Sequence, residues 1–255
     1  MKRIVWFLLV FSVCAACSKA ENTASTATTS VEQKDAAKPQ ATVQDKSDQS
    51  TATTVAEEIE NDMSKAHLGP MEAIKDLDKE IEGYRLGQNL TSEELEANRD
   101  LKQRIIRGTF DIKELCRLAL DKHWDPLSVD QQKHFVDLMT QLLEKKAIFS
   151  KEQLQGENKL YQINYTKEVI DQADSAKATV YSRMVIPKRK MDLELTYKLI
   201  KKPNGWKIYD VIVDDAELLK NYRYQFDRII QKGGYGDLVK RMEQKLGSIG
   251  AKSEA

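Results

Sequence analysis

Cysteine and histidine are scarce in this 255-residue chain, with three of each. Two cysteines, Cys14 and Cys17, stand at the extreme N-terminus, so a disulfide-stapled scaffold is excluded and Cys116 reads as a buried free thiol. His67, His123 and His134 have no neighbour at metal-ligand or triad spacing, and each reads as a surface or core-edge residue. Net charge of either sign is missing as well. The 40 Lys+Arg balance 40 Asp+Glu, which removes the basic surface that sequence-independent nucleic-acid binding needs. No apolar run reaches the ~20 residues of a membrane-spanning helix. There is no nucleophile elbow, Walker loop, paired-His helix motif or dinucleotide fingerprint, so neither a cofactor nor a catalytic apparatus is expected. What is present, 41% hydrophobic and 31% charged residues, is a soluble globular composition of one or two domains.

The charge divides the chain into three parts. Residues 1–17 carry Lys2 and Arg3, then an apolar stretch from Ile4 to Val13 broken only by Ser12, then Ala15 and Ala16. That order is a secretory signal peptide. Ala15-Ala16-Cys17 resembles a bacterial lipobox, with Cys17 as the lipidated residue and Cys14 where Leu or Val is usual. Ordinary cleavage after Ser18-Lys19-Ala20 is the alternative. Residues 18–66 are a linker of Ala, Thr, Ser, Gln and charged residues, net −4 over residues 18–60, with a low-complexity run from Thr23 to Ser30. Such a composition cannot bury enough apolar area to offset its ordering entropy, so disorder is expected. A flexible linker of ~45 residues spans roughly 35–40 Å on average and ~150 Å at full stretch.

Residues 67–250 read as the folded domain. Pro70 opens a helix with Met71, Ile74, Leu77 and Ile81 on one face, ended by Gly87. Thr91 with Glu94, Asp111 with Glu114 and Ser128 with Gln131 cap three more helices. The period then changes to two, with Tyr161, Ile163 and Tyr165, residues 178–186, and Met191 to Leu199 alternating. Lys202-Pro203-Asn204-Gly205 predicts a three-residue hairpin loop with Lys202 opposite Trp206. Counting outward pairs Leu199 with Tyr209, Tyr197 with Val211 and Leu195 with Val213. Asp214 or Asp215 then caps a fifth helix carrying Leu218, Leu219, Tyr222, Phe226, Ile229 and Ile230, which ends at Gly233-Gly234 before a short sixth. The expected fold is α+β: an antiparallel four-stranded meander flanked by about six helices, with an apolar cavity between sheet and helices.

Two charged features stand out. Asp210 lies inside an apolar strand. It reads either as a general base with a shifted pKa or as an acceptor for backbone amides. Lys188-Arg189-Lys190 is a basic turn, either solvated or in contact with anionic headgroups.

Three stretches together carry a resemblance. Phe110 to Trp124 runs into Leu127 to Phe135, Gly205-Trp-Lys-Ile-Tyr-Asp-Val-Ile-Val213 follows, and Asn221 to Phe226 precedes Gly233-Gly234. In this order they resemble the MlaC family, also called the toluene-tolerance or ABC-transporter auxiliary family, over roughly residues 70–247. The resemblance implies a periplasmic carrier that shuttles glycerophospholipid between an outer-membrane lipoprotein complex and an inner-membrane ABC transporter bearing an MCE-domain ring. It implies a non-enzymatic monomer whose only bound group is its phospholipid cargo, with acyl chains held between sheet and helices. On that basis the expected lipid-binding residues are Tyr165, Val180, Met184, Leu195, Tyr197, Tyr209, Val211 and Val213 of the sheet, and Leu218, Leu219, Tyr222 and Phe226 of the fifth helix. By periodicity alone the same side chains read as ordinary core. Asp215-Ala216-Glu217 replaces a Gly-Val-Ser common in the family, and a Cys17 anchor would tether this chain where typical members are released into the periplasm. An enzyme using Asp210 and a lipid-free envelope scaffold are the competing readings.

Overall fold

The structure, a computed structural model, describes residues 65–85, 89–146, 161–187 and 190–253. The signal segment, Cys17 and nearly all of the linker lie outside the described residues, as do Gly87, Lys188 and Arg189.

Helix α1, Pro70–Ile81, opens with proline where no intrahelical N–H is needed, and buries Ile74 and Leu77. It stops at Ile81, earlier than Gly87, for a non-local reason. Asn98, buried in α2 (Ser92–Thr109), accepts from the Arg85 N–H and donates to the Arg85 carbonyl, each at 2.8 Å. That pair draws the chain out of the helical path. The three expected caps are in place. Glu94 N–H donates to Thr91 Oγ1 at 3.2 Å, and Thr91 N–H to Glu94 Oε2 at 3.0 Å. Glu114 N–H donates to Asp111 Oδ1 at 2.9 Å to start α3 (Ile112–Leu120). Ser128 and Gln131 exchange bonds of 3.2 and 2.9 Å to start α4 (Val129–Lys146).

The sheet is an antiparallel meander in the order β1 (Gln162–Ile170), β2 (Lys177–Ile186), β3 (Met191–Lys202), β4 (Gly205–Val213) and β5 (Ala216–Glu217). The sheet thus has five strands where four were expected. The fifth arises because Asp214 and Asp215 both take positive φ, 44° and 68°, making a tight hairpin turn in place of a helix cap. Helix α5 therefore starts at Leu218 and runs to Ser253, broken at Gly234 with φ 77° and ψ 174°. The expected fifth and sixth helices are its two halves, so the described residues hold five α-helices.

The β3–β4 register agrees with the sequence count at one end only. Leu195 pairs with Val213 and Tyr197 with Val211, as predicted, but Leu199 pairs with Ile208 and Lys202 with Gly205. The loop holds two residues, Pro203 and Asn204, and the difference is absorbed by a bulge at Tyr209. The bulge puts Trp206 and Ile208 on the same face as Val211 and Val213, where all four are buried. Gly205 takes φ 112°, and a Cβ there would lie 2.9 Å from the Lys65 carbonyl, so the chain enters the domain directly across this turn. Lys65 Nζ pairs with Asp76 at 2.9 Å and with Glu80, both on α1.

The apolar residues form two clusters. One joins α1 and α2 to a face of the sheet: Ile74, Leu77, Leu101 and Ile105 against Val180, Leu195, Leu199, Ile208, Val211 and Val213. The other joins α3, α4 and α5 around Leu115, Phe135, Met139, Tyr222, Phe226 and Leu238. Phe110, at the α2–α3 corner, is packed against both.

Candidate functional site

The twelve residues expected to line a lipid slot do not lie in one place. Val180, Leu195, Val211 and Val213 are buried in the sheet cluster, with Tyr165, Met184 and Tyr197 half-buried at its margin. Leu218, Leu219, Tyr222 and Phe226 belong to the helical cluster. Tyr209 is the bulge residue, half-buried and in neither cluster.

The separation follows from strand alternation. Val211 points toward α1 and α2, so Asp210 points to the opposite face of β4. There Asp210 Oδ1 accepts from Leu219 N–H and from its neighbour Val211 N–H, both at 2.9 Å. Leu219 is the second residue of α5, so Asp210 fixes the start of that helix from a neighbouring strand. The last helix is therefore docked behind Val211, so the sheet residues and the fifth-helix residues expected to line one slot lie on opposite sides of β4. Of the two readings of Asp210, the structure shows the acceptor of backbone amides. Burial pushes its pKa up to about 6, opposed chiefly by the Leu219 amide.

The helical cluster is densely aromatic. Phe226 stacks on Tyr222 at 5.3 Å between centroids and meets Phe135 edge-on at 5.6 Å. Cys116 is buried in it as a free thiol. His123 Nε2 lies 2.8 Å from the Asp227 carboxylate, which Lys122 and His123 together hold down to about 2. His134 lies 3.4 Å from Glu243. His123, just past the end of α3, and His134, on α4, both meet carboxylates of α5.

The sheet cluster differs in having a polar margin. Asp78 lies on the same stripe of α1 as Ile74, Leu77 and Ile81, at the spacing that faces a partner. It accepts a hydrogen bond from the Tyr165 hydroxyl, which also lies 3.5 Å from the Ile74 carbonyl. Tyr165 is paired with Ser182, and Val180 two residues before it is paired with Tyr197, so these side chains share one sheet face. Burial and then the Asp78 carboxylate raise the pKa of Tyr165, Tyr197 and Tyr161, with Glu82 adding to the effect at Tyr161. Ser182 Oγ is buried without a well-formed hydrogen bond, with the Tyr197 hydroxyl its neighbour. Lys75, one turn before Asp78, places Nζ 5.5 Å from the centre of the Tyr165 ring. Sequence reasoning missed Asp78. The available signal was a carboxylate at an apolar-stripe position of the first helix.

The face of β2, β3 and β4 toward α1 and α2 is apolar, with hydroxyls and charges at its margin. Among the described residues no group of three or more His, Cys, Asp or Glu could hold a metal, and no helix is long and apolar enough to cross a membrane.

No curated protein sequence matches the chain. A solved structure of similar fold is the phospholipid-binding protein from Ralstonia solanacearum in complex with a phospholipid. It has TM-score 0.50 and 21% identity, and the match covers 78% of this chain and 97% of that one. The family model for MlaC protein matches residues 77–244, which take in α1 from Leu77 onward, the whole sheet and α5 to beyond its break. The chain belongs to the MlaC family.

Proposed function

We propose that this protein is a phospholipid carrier of the bacterial envelope, a binding protein with no catalytic step. It takes glycerophospholipid at one membrane and delivers it at the other, between an outer-membrane lipoprotein complex and an inner-membrane ABC transporter with an MCE-domain ring. The observation that carries this reading is the family match over residues 77–244. The phospholipid held by the similarly folded Ralstonia protein supports it. In this proposal the acyl chains lie in an apolar slot along the sheet face of Val180, Leu195, Val211 and Val213, under α1 and α2. The aromatic cluster of α5 is the structural core behind it.

The energetics fit a carrier. Each methylene kept from water is worth ~0.8 kcal/mol, so two exposed chains of ~16 carbons would cost roughly 25 kcal/mol. An apolar slot lowers that barrier, and release requires that it hold lipid no better than a bilayer does. The full mature chain, purified from bacteria and extracted with organic solvent, is expected to yield about one glycerophospholipid per protein by mass spectrometry. Extracts without phospholipid, with native spectra at the bare polypeptide mass, would overturn the carrier reading.

The carrier is proposed to work on a lipid tether. Cys17 after Ala15-Ala16, followed by a long polar linker, supports an anchored domain that searches a volume around its attachment point. Cys17→Ala is expected to move the protein from the membrane pellet to the soluble periplasmic fraction. A wild-type protein that is already soluble and begins at Glu21 would show ordinary cleavage instead.

A further inference from the structure

The sheet face turned away from α1 and α2 is covered at one end only. Val180, Tyr197 and Val211 belong to the inward face, so by alternation Thr179, Lys198 and Asp210 point outward. Pairing puts Val169, Thr179 and Lys198 in one outward row, Lys167, Tyr181 and Thr196 in the next, and Lys177 with Ile200 in a third. Helix α5 covers the β4 end of this face, through the bond from the Leu219 amide to Asp210. On β1 and β2, however, Val169 and Tyr181 remain 37% and 40% exposed. Lysines stand among these apolar side chains, Lys177 also pairing with Asp174 at 3.1 Å. The carboxylates of β3, Asp192 and Glu194, lie toward the other end of the strand.

The chain enters the domain beside that same face. Trp206 and its partner Lys201 point inward, the ammonium lying over the indole ring, so Gly205 and Lys202 take the outward register. The Lys65 carbonyl packs against Gly205, and from there the chain passes inward to α1. The stretch just before it, residues 54–64, lies outside the described residues and has a pattern that the rest of the linker lacks. Thr54 and Glu57 have the spacing of a capping box, and Val55, Ile59 and Met63 recur every four residues. Glu57, Glu58, Glu60 and Asp62 give this stretch a charge of −4, with no Lys or Arg. As a helix of about ten residues it is ~15 Å long, which matches three strand spacings of ~4.8 Å, the way from β4 to β1. A helix that short is marginal alone in water and needs an apolar face to form on. We propose that residues 54–64 dock as an amphipathic helix across the outer face of β3, β2 and β1. Val55, Ile59 and Met63 then cover Val169, Tyr181 and Ile200, and the carboxylates stand among Lys167, Lys177 and Lys198. The last stretch of the linker becomes part of the domain, and the open sheet face is closed by the chain itself.

The experiment is limited digestion of the full mature chain with a glutamate-specific protease, the cut sites being read by mass spectrometry. Tyr181→Glu replaces an exposed apolar contact with a repelling charge and leaves the sequence around the cut sites untouched. In that variant the bonds after Glu57, Glu58 and Glu60 are expected to be cut about tenfold faster than in wild type, with the rate at Glu32 and the melting temperature unchanged. Tyr224→Glu, a change at an exposed tyrosine of α5, is expected to keep the wild-type rates. Ile59→Ser alters no residue of the domain and is expected to open Glu57 and Glu60 as Tyr181→Glu does, which keeps the test valid if Tyr181→Glu melts early. Equal rates at Glu57 and Glu60 in wild type and Ile59→Ser overturn the docked segment. So does the same acceleration in Tyr224→Glu as in a folded Tyr181→Glu. Wild-type protection that grows with protein concentration also overturns it, because the segment would then sit on a second copy. The carrier reading stands whichever way these rates fall, since lipid content is not what they measure.

Discussion

Val211→Glu is expected to give a folded protein that carries little lipid, whereas Phe226→Glu is expected not to fold. Both side chains are buried, Val211 at 8% and Phe226 at 1% exposure, and both were candidates for the lipid slot. The structure separates them. Phe226 is locked between the ring of Tyr222 and the edge of Phe135, in a cluster built from three helices. A carboxylate there has no route to water, and together with the lost ring it is expected to cost upward of ~4 kcal/mol, most of the stability of an ordinary domain. Val211 faces α1 and α2, the pair proposed to lie over the acyl chains. A carboxylate at Val211 can expel the lipid and admit water in its place, so the cost is expected to be about 2 kcal/mol. Thermal melting by circular dichroism, with extracted lipid per mole, reads both outcomes. An unfolded Val211→Glu would make that face ordinary core. A folded variant with full lipid content would place the slot elsewhere.

The second large effect concerns Asp210 and pH. Its folded pKa is raised to about 6 from 3.8 because burial disfavours the charge and Glu217 repels it, with Lys198 and the two amides opposing. The protonated form is therefore the one that folding favours. The stability this contributes is fully present below about pH 4 and is lost as pH rises through 6. Over that window the expected loss, screened by solvent, is on the order of 1–3 kcal/mol. Asp210→Asn keeps an oxygen for the Val211 and Leu219 amides and cannot ionise. Denaturant unfolding from pH 4 to pH 8 is expected to show the variant gaining on wild type steadily through pH 6. Asp210→Ala removes the acceptor and leaves two buried amides unpaired, for a loss of about 2 kcal/mol at pH 5. A constant wild-type-to-Asn difference across the range would mean that Asp210 does not titrate there.

Much of the fold was readable because its signals are local. The boxes at Thr91 and Ser128 and the cap at Asp111 each use residues three apart, and all three are formed. The alternation of Leu195, Tyr197, Val211 and Val213 placed them on one face, as the pairing shows. What failed was set at a distance. Asn98 ends α1 by holding Arg85, thirteen residues away in sequence. Asp210 starts a helix from nine residues upstream, across a hairpin of two positive-φ aspartates that sequence alone read as caps. Tyr165 meets Asp78 across 87 residues, which no spacing rule reaches. The candidate site suffered most, because it depends on which helix covers which face of β4. That choice is made by Asp210, whose side chain points away from the face under discussion.

The bulge at Tyr209 also bears on how this hairpin tolerates insertion and deletion. Losing one residue within a regular strand turns every later side chain to the opposite face, exchanging core for surface along the rest of the strand. Tyr209 is an exception. Ile208 already pairs with Leu199, and Asp210 with Lys198. Removing the residue between them would close the ladder into continuous register. Trp206, Ile208, Val211 and Val213 would remain inward, and Asp210 would still point at the start of the last helix. A homologous chain shorter by one residue at this point can keep the same interior, and an alignment that spreads the gap into the loop at Pro203-Asn204 would misassign the face of every residue between.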